Sequence, residues 1–287
     1  MKERLHAYYW LAKPGIVYGN SITVVAGFLL ASRGQVDLGQ LLATLVGIAL
    51  VIASACVVNN YIDRDIDALM SRTKWRALAK GTVSGRSAMV YAAVLGLAGV
   101  GILMLWVNAL TWAVGLIAFI DYVILYGVAK RRSVHGTLVG SISGAAPIVA
   151  GYVAVTDRLD LGALLLFAIL TLWQMPHFYA IAIYRLKDYQ AAGIPVLPAK
   201  AGLHHTKVQI VAYIAAFILA ALALTIFGYA GLTYAVVMAG VGLMWLYRGW
   251  LGFTAADDTR WARAIFKFSL VVLLVFSMMI SVTALLP

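Results

Sequence analysis

The sequence predicts an all-α polytopic membrane protein, and three observations predict it. Of 287 residues, 63% are hydrophobic and only 11% are charged, with a mean hydropathy of +0.93. A soluble domain carries about 25% charged residues. The apolar residues gather into nine stretches of the length, about 20 residues, that crosses a hydrocarbon core. The cations avoid those stretches and collect on alternate connections, as the topology of helical membrane proteins requires. A net charge of +11 would suggest nucleic acid in a soluble chain. Here that topology bias accounts for it, and the expected partner is the lipid bilayer, not nucleic acid.

The spans follow in order. The first covers roughly 15–33. It is long enough to cross and lacks a small-residue cleavage site, so it is expected to remain as a helix and not as a cleaved signal. The second, roughly 39–61, holds the single cysteine, Cys56. One cysteine makes no intramolecular disulfide, and an apolar setting reads as an inert packed thiol. The third and fourth lie at roughly 87–107 and 109–129, the latter with Asp121 near its middle. A carboxylate at that depth seldom faces lipid, so it faces a cavity or pairs with a cation.

The fifth, roughly 137–156, is entered through Gly136, Gly140 and Gly144 at four-residue spacing. That row lets helices approach closely, or leaves room for a bulky ligand. The sixth, roughly 162–184, contains Pro176, which predicts a kink. The last three are placed at roughly 207–229, 231–251 and 265–286. His204 and His205 have no partner at metal-ligand spacing and read as surface loop residues. No linker divides the chain, so 1–287 is one domain.

With nine spans, 20 of the 22 Lys and Arg residues fall on one side, and only Arg33 and Arg158 on the other. The basic side is expected in the cytoplasm of a bacterial inner membrane, with the N-terminus cytoplasmic and the C-terminus opposite. The two longest connections, about 62–86 and 185–206, share that side and follow spans two and six. Their separation by four spans hints at an internal duplication. Loops of this length are seldom idle, and they read as a cap over a site at the membrane surface.

The end of the second span carries the densest chemistry. Asn59, Asp63 and Asp67 are spaced i, i+4, i+8, which places them on one helix face. Asp65 points about 160° away and reads as the partner of a nearby Arg. Adjacent carboxylates repel, so the group suits a divalent cation such as Mg²⁺. Arg72, Lys74 and Arg76 follow at once, and Lys130, Arg131 and Arg132 close the fourth span. Their forks and ammonium groups suit a phosphate or carboxylate that shares the metal. The end of the sixth span carries His177, Tyr184 and Asp188 at i, i+7, i+11, flanked by Arg185 and Lys187. His177 is either a satisfied core histidine or a ligand presented by neutral imidazole.

The pattern Asn59-xxx-Asp63-xx-Ile66-Asp67-xx-Met70-x-Arg72-Thr73-xx-Arg76-xxxx-Gly81 resembles the signature of the UbiA superfamily of intramembrane prenyltransferases. Further segments resemble its haem-farnesylating branch. They are Lys13-Pro14-Gly15-Ile16, Gly136 to Ser141, Ser143 to Pro147, Trp173-Gln174-Met175-Pro176-His177 and Lys187 to Pro195.

The resemblance implies nine helices around a central cavity, capped by cytoplasmic loops. It implies Mg²⁺ held by Asn59, Asp63 and Asp67, which are also the catalytic residues. Diphosphate binding then falls to Arg72, Lys74, Arg76, Lys130, Arg131, Arg132, Lys187 and Asp188, and haem binding to His177, Tyr184 and Arg185. The implied substrates are farnesyl diphosphate and haem B. The implied product is haem O, passed on to haem-copper oxidase assembly or a haem-modifying enzyme. Many superfamily members carry a second Asp-xxx-Asp after the sixth span, whereas this chain keeps only Asp188. A prenyltransferase for an aromatic quinone precursor would be expected to carry that pair. A transporter would be expected to hold its charges at the membrane midplane.

Overall fold

The computed structural model describes residues 2–285, and the side chains from residue 5 onward. Lys2 and Arg4, counted in the charge bias, therefore have no described side chain, and residue 286 of the ninth predicted span lies outside. Among the described residues nine helical segments are long and apolar enough to span a membrane. In chain order the helices are α1 (Lys2–Leu11), α2 (Pro14–Ser32), α3 (Leu38–Ile62), α4 (Arg64–Leu69), α5 (Gly85–Trp106), α6 (Ala109–Ile120) and α7 (Tyr126–Arg132). A five-residue π turn, Asp121–Leu125, joins α6 to α7, so the two form one span. Then come α8 (Gly136–Thr156), α9 (Leu161–Tyr184), α10 (Leu186–Ala191), α11 (Leu197–Lys200), α12 (Gly202–Ile226), α13 (Leu232–Trp250) and α14 (Asp258–Val282).

The helices start where local chemistry satisfies their free backbone donors. Asp37, Ser84, Asn108, Asp160 and Asp257 each accept an amide N–H from the first turn that follows, over 2.8–3.1 Å. Large apolar side chains face outward, among them Leu97, Leu105, Leu219 and Ile226, each more than 70% exposed. That arrangement is stable in lipid, where the backbone is satisfied within each helix.

The main core joins α2, α8, α9, α12, α13 and α14 around Ile148, Leu166, Ile169, Ile214, Phe217, Trp245 and Phe276. Helices α2 and α8 cross with their backbones almost touching. A methyl group on Gly27 would collide with the Ile148 carbonyl, and one on Gly151 with the Val24 carbonyl. The Gly136, Gly140 and Gly144 row serves differently. It makes room for the Lys130 backbone, the Tyr126 ring and the Gln174 amide in turn.

Three expectations need correction. Helix α12 begins at Gly202 and α14 at Asp258, five and seven residues earlier than their hydropathy suggests. In each, a polar first turn extends beyond the apolar stretch. His204 and His205 consequently sit exposed on the first turn of α12, not in a loop. Pro176, where a kink is expected, lies within α9 as a single helix. The N-terminal helix α1 has no counterpart in the hydropathy, because it lies outside the spans. Its Trp10 is 57% exposed, and its Leu11 carbonyl accepts a hydrogen bond from Asn60 over 2.8 Å.

Candidate active site

The acidic group forms at a joint. Helix α3 ends at Ile62, Asp63 adopts φ −89° and ψ 1°, and α4 restarts at Arg64. Helical bonding nevertheless continues across the break. The Asp63 amide donates to the Asn59 carbonyl over 2.9 Å, and the Asp67 amide to the Asp63 carbonyl over 2.8 Å. The four-residue register is thus kept, and Asn59, Asp63 and Asp67 all point inward, 2%, 4% and 2% exposed. Asp65 points out. The Arg131 fork grips it with bonds of 2.8 and 2.7 Å and holds its carboxyl down to about 2.

Four cations from three elements close on the three inward side chains. Lys13, in the turn before α2, donates to Asn59 Oδ1 over 2.6 Å. Lys130 of α7 pairs with Asp63, and the Arg131 guanidinium lies 3.6 Å from Asp63 Oδ1. Arg76, in the connection after α4, pairs with Asp67 over 2.7 Å. Burial pushes the Lys13 ammonium down to about 8. Beside them, Tyr122 and Tyr126 stack at 5.6 Å, with the ammonium groups of Lys13 and Lys130 5.9 and 5.1 Å from their respective ring centres.

Two inward carboxylates thus face four cations, one of which is shared with Asp65. The cations outnumber the inward carboxylates at a partly buried site, a charge balance that suits an anionic ligand. Several polar atoms here are sealed from solvent without a hydrogen bond: Asp63 Oδ1, Asn59 Nδ2 and Arg131 Nε. A carboxylate oxygen without a hydrogen bond, beside a second carboxylate, fits a hard cation, which takes oxygen ligands. Among the described residues no three His, Cys, Asp or Glu side chains converge on a metal-sized point. Mg²⁺ does not need three, since it is commonly held by one or two carboxylates together with substrate phosphate.

The other expected residues are distributed unevenly. Arg72, Lys74, Arg132 and Lys187 are exposed and form no ion pair among the described residues. Lys74 lies 5.0 Å from the Trp75 ring centre, outside the cluster. Asp188 is engaged across the loops. It accepts the Ser71 hydroxyl at 2.6 Å and the Ser71 amide at 3.2 Å, with Arg185 3.8 Å away. That bond ties the connection after α4 to helix α10.

His177 is 8% exposed and meets Ser269 of α14 through Nδ1 at 2.7 Å. Tyr184 lies between two guanidinium groups, Arg185 at 5.5 Å and Arg263 at 5.8 Å from its ring centre. Arg263 also lines a cleft of about 420 Å³ with Arg260 and Lys267 on the first turns of α14. Asp121 opens the π turn and accepts the Ser143 amide of α8 over 3.0 Å.

Sequence reasoning assigned neither Lys13 nor Arg263 to the site: Arg263 entered only the topology, and Lys13 the topology and the family resemblance. Lys13 had one further signal, its place immediately before the proline that opens a span. Arg263 had none, because its neighbours are far away in the chain.

Fold and site together define a membrane-embedded helical bundle with a cluster of acidic and basic side chains on its basic face. The sequence profile of the UbiA prenyltransferase family matches residues 20–271, and the chain belongs to that family. It is 53% identical over 279 residues to the protoheme IX farnesyltransferase of Pseudomonas syringae pv. syringae, covering 97% of this chain and 95% of that one. It is 52% identical over 276 residues to the enzyme of the same name from Yersinia pseudotuberculosis serotype O:1b, covering 96% and 94%. Among solved structures, a digeranylgeranylglyceryl phosphate synthase superposes with a TM-score of 0.80 at 20% identity, over 98% of this chain and 99% of that one. A UbiA homologue from Archaeoglobus fulgidus, bound to DMAPP and Mg²⁺, superposes with 0.73 at 13% identity, over 93% and 98%. These last two likenesses concern the fold.

Proposed function

We propose that this chain transfers a farnesyl group from farnesyl diphosphate to a vinyl group of haem B, with addition of water, giving haem O. The observation that carries the reading is the ring of Lys13, Arg76, Lys130 and Arg131 around buried Asn59, Asp63 and Asp67. Half-identity to protoheme IX farnesyltransferases across the whole chain supports the choice of substrates.

Asp63 and Asp67, with Asn59 beside them, would hold Mg²⁺, which when bound neutralises the diphosphate and assists its departure. The chain's own cations do the rest of the electrostatic work. Lys13, Arg76, Lys130 and Arg131 hold the leaving oxygens as the allylic C–O bond breaks and diphosphate departs with the electron pair. Arg72, Lys74, Arg132 and Lys187, on the exposed face, draw the anion in from water. The Tyr122 and Tyr126 faces border the farnesyl cation, and the surrounding bundle keeps water from it. The vinyl π pair forms the new C–C bond, and water adds to the resulting cation and loses a proton.

His177, Tyr184 and Arg185 hold the haem. The basic face lies toward the cytoplasm of a bacterial inner membrane, with the N-terminus inside and the C-terminus outside. Haem O then passes to haem-copper oxidase assembly or to a haem-modifying enzyme.

The test is to incubate purified protein with haem B, farnesyl diphosphate and Mg²⁺ and to weigh the porphyrin. A gain of one farnesyl group plus water, dependent on Mg²⁺, is expected. No gain on haem, with a gain on an aromatic quinone precursor, overturns the reading.

A further inference from the structure

Only two cations break the charge bias of the spans. On the face away from the acidic cluster, the connections carry Arg33, after α2, and Arg158, between α8 and α9. The other 20 Lys and Arg residues belong to the basic face. Topology calls for no cation on this side. Yet both arginines line one and the same cleft, of about 400 Å³. Three elements form it: the end of α2, the turn from α8 into α9, and the connection from α12 to α13. The fold thus brings together two exceptions that lie far apart in the chain.

The nearby carboxylates are engaged elsewhere. Asp160 lines the cleft, but its Oδ1 accepts the Ala163 amide and its Oδ2 the Tyr152 hydroxyl, each over 3.1 Å. Asp37 accepts the Gln40 amide at the start of α3. Among the described residues neither Arg33 nor Arg158 forms an ion pair or a side-chain hydrogen bond. Arg33 is also held at φ 47° and ψ 39°, the left-handed region where glycine is usual and an L side chain is disfavoured. Below the arginines, Tyr152 is buried. It and Tyr229 pack against Gly162, where a methyl group would strike both. Phe227 stands exposed at the rim, next to exposed Ile226 at the end of α12.

We propose that this cleft binds the headgroup of an anionic phospholipid from the leaflet opposite the acidic cluster, with Arg33 and Arg158 on its phosphate oxygens. A guanidinium fork matches a phosphate bidentately, and two forks from separate elements form a clamp. Basic pockets between membrane helices take lipid headgroups in this way. The rim decides between a lipid and a free phosphate ion. Phe227 and Ile226 suit acyl chains and offer nothing to a hydrated ion. The 19 residues of α2, roughly 28 Å of helix, separate Lys13 at the active site from Arg33. The lipid site is therefore distinct from the reaction site, and it ties α2 to two other connections of the bundle.

The test follows amide hydrogen exchange of the full chain in nanodiscs of phosphatidylcholine, with or without phosphatidylglycerol in equal part. Phosphatidylglycerol is expected to slow exchange at 33–40, 157–163 and 227–231, the amides around the cleft. The double variant Arg33→Gln, Arg158→Gln should lose that slowing, while any lipid response on the basic face stays. Arg158→Gln alone, a change in an exposed turn, should raise the phosphatidylglycerol needed for the same slowing about 10- to 100-fold. Unchanged exchange within the spans reports that each variant is folded. Inorganic phosphate added to phosphatidylcholine nanodiscs should have no effect at these amides.

Equal exchange around the cleft in the two bilayers overturns the site. A slowing that persists in Arg158→Gln with the same lipid dependence overturns the arginine clamp. Inorganic phosphate that reproduces the slowing overturns the lipid, because the cleft then takes a free anion.

Discussion

Two places in the molecule share a backbone plan and differ in chemistry. Span α3 ends at a joint, Asp63, with φ −89° and ψ 1°, and a six-residue helix follows. Span α9, four spans later, ends at a joint, Arg185, with φ −111° and ψ 18°, and again a six-residue helix follows. Four residues before, at, and four residues after the first joint stand Asn59, Asp63 and Asp67. The same places around the second hold Ile181, Arg185 and Tyr189. The first joint gathers oxygen donors, and the second places the Arg185 guanidinium 5.5 Å from the Tyr184 ring centre. One backbone device thus carries two different sets of side chains, acidic at the first joint and basic and aromatic at the second. This also gives physical content to the missing second Asp-xxx-Asp. On the proposed reading, a second carboxylate here, added to Asp188, would face the propionates of haem with like charge.

The strongest way to break this comparison is to neutralise the first joint. Asp63→Asn removes a ligand charge worth several kcal/mol to a metal-assisted departure, so turnover should fall about 10²- to 10³-fold. Farnesyl diphosphate binding should need more Mg²⁺, and the haem spectrum should not change. Product mass and haem absorbance, followed side by side, report both. Full turnover in this variant would remove the metal assignment.

The second joint is tested by Arg185→Gln. A charge-assisted bond to a carboxylate contributes about 1.5–3 kcal/mol, so haem affinity should weaken by roughly one to two orders of magnitude. Mg²⁺-dependent binding of farnesyl diphosphate should stay as in wild type. If instead diphosphate binding weakens and haem binding does not, Arg185 belongs to the first site and the two joints are not chemically distinct.

How much of this was legible in the sequence depends on distance along the chain. The nine spans are written in local hydropathy, and the inward set Asn59, Asp63 and Asp67 in local spacing. Both survive because the joint at Asp63 keeps its helical bonds. Helix α1 was missed because hydropathy does not report a short helix at the surface. The crossing at Gly27 and Gly151 joins residues more than a hundred positions apart, so local spacing does not pair them. Lys13 reaches Asn59, and Ser71 reaches Asp188, only after the bundle has formed. His177 was visible as an unusual intramembrane residue, but its partner Ser269 lies 92 residues away.

Asp188 sharpens the comparison at a lower energy. Its carboxylate bonds Ser71 across the two connections, so it links the joints and need not serve either substrate directly. Asp188→Ala should cost about 1–3 kcal/mol of local stability. Amide hydrogen exchange should rise together in 70–84 and 186–201, while turnover falls less than tenfold. A loss of Mg²⁺-dependent diphosphate binding as large as that of Asp63→Asn would place Asp188 at the metal after all.

The smallest effect probes one wall of the second site. Asp257 caps α14 by accepting the Arg260 amide over 3.0 Å, and α14 carries Arg263, Phe266 and Ser269. Removing such a cap costs about 0.5–2 kcal/mol, mostly by fraying the first turn. Arg263 lies within reach of that fraying, whereas Ser269 is three turns in, where the bundle holds it. Asp257→Ala should therefore lower the melting temperature by a few degrees and weaken haem binding slightly, through Arg263 alone. The spectrum of bound haem should persist, and Mg²⁺-dependent binding of farnesyl diphosphate should not move. A spectrum that changes in this variant would mean that the start of α14 sets the position of Ser269, and with it that of His177.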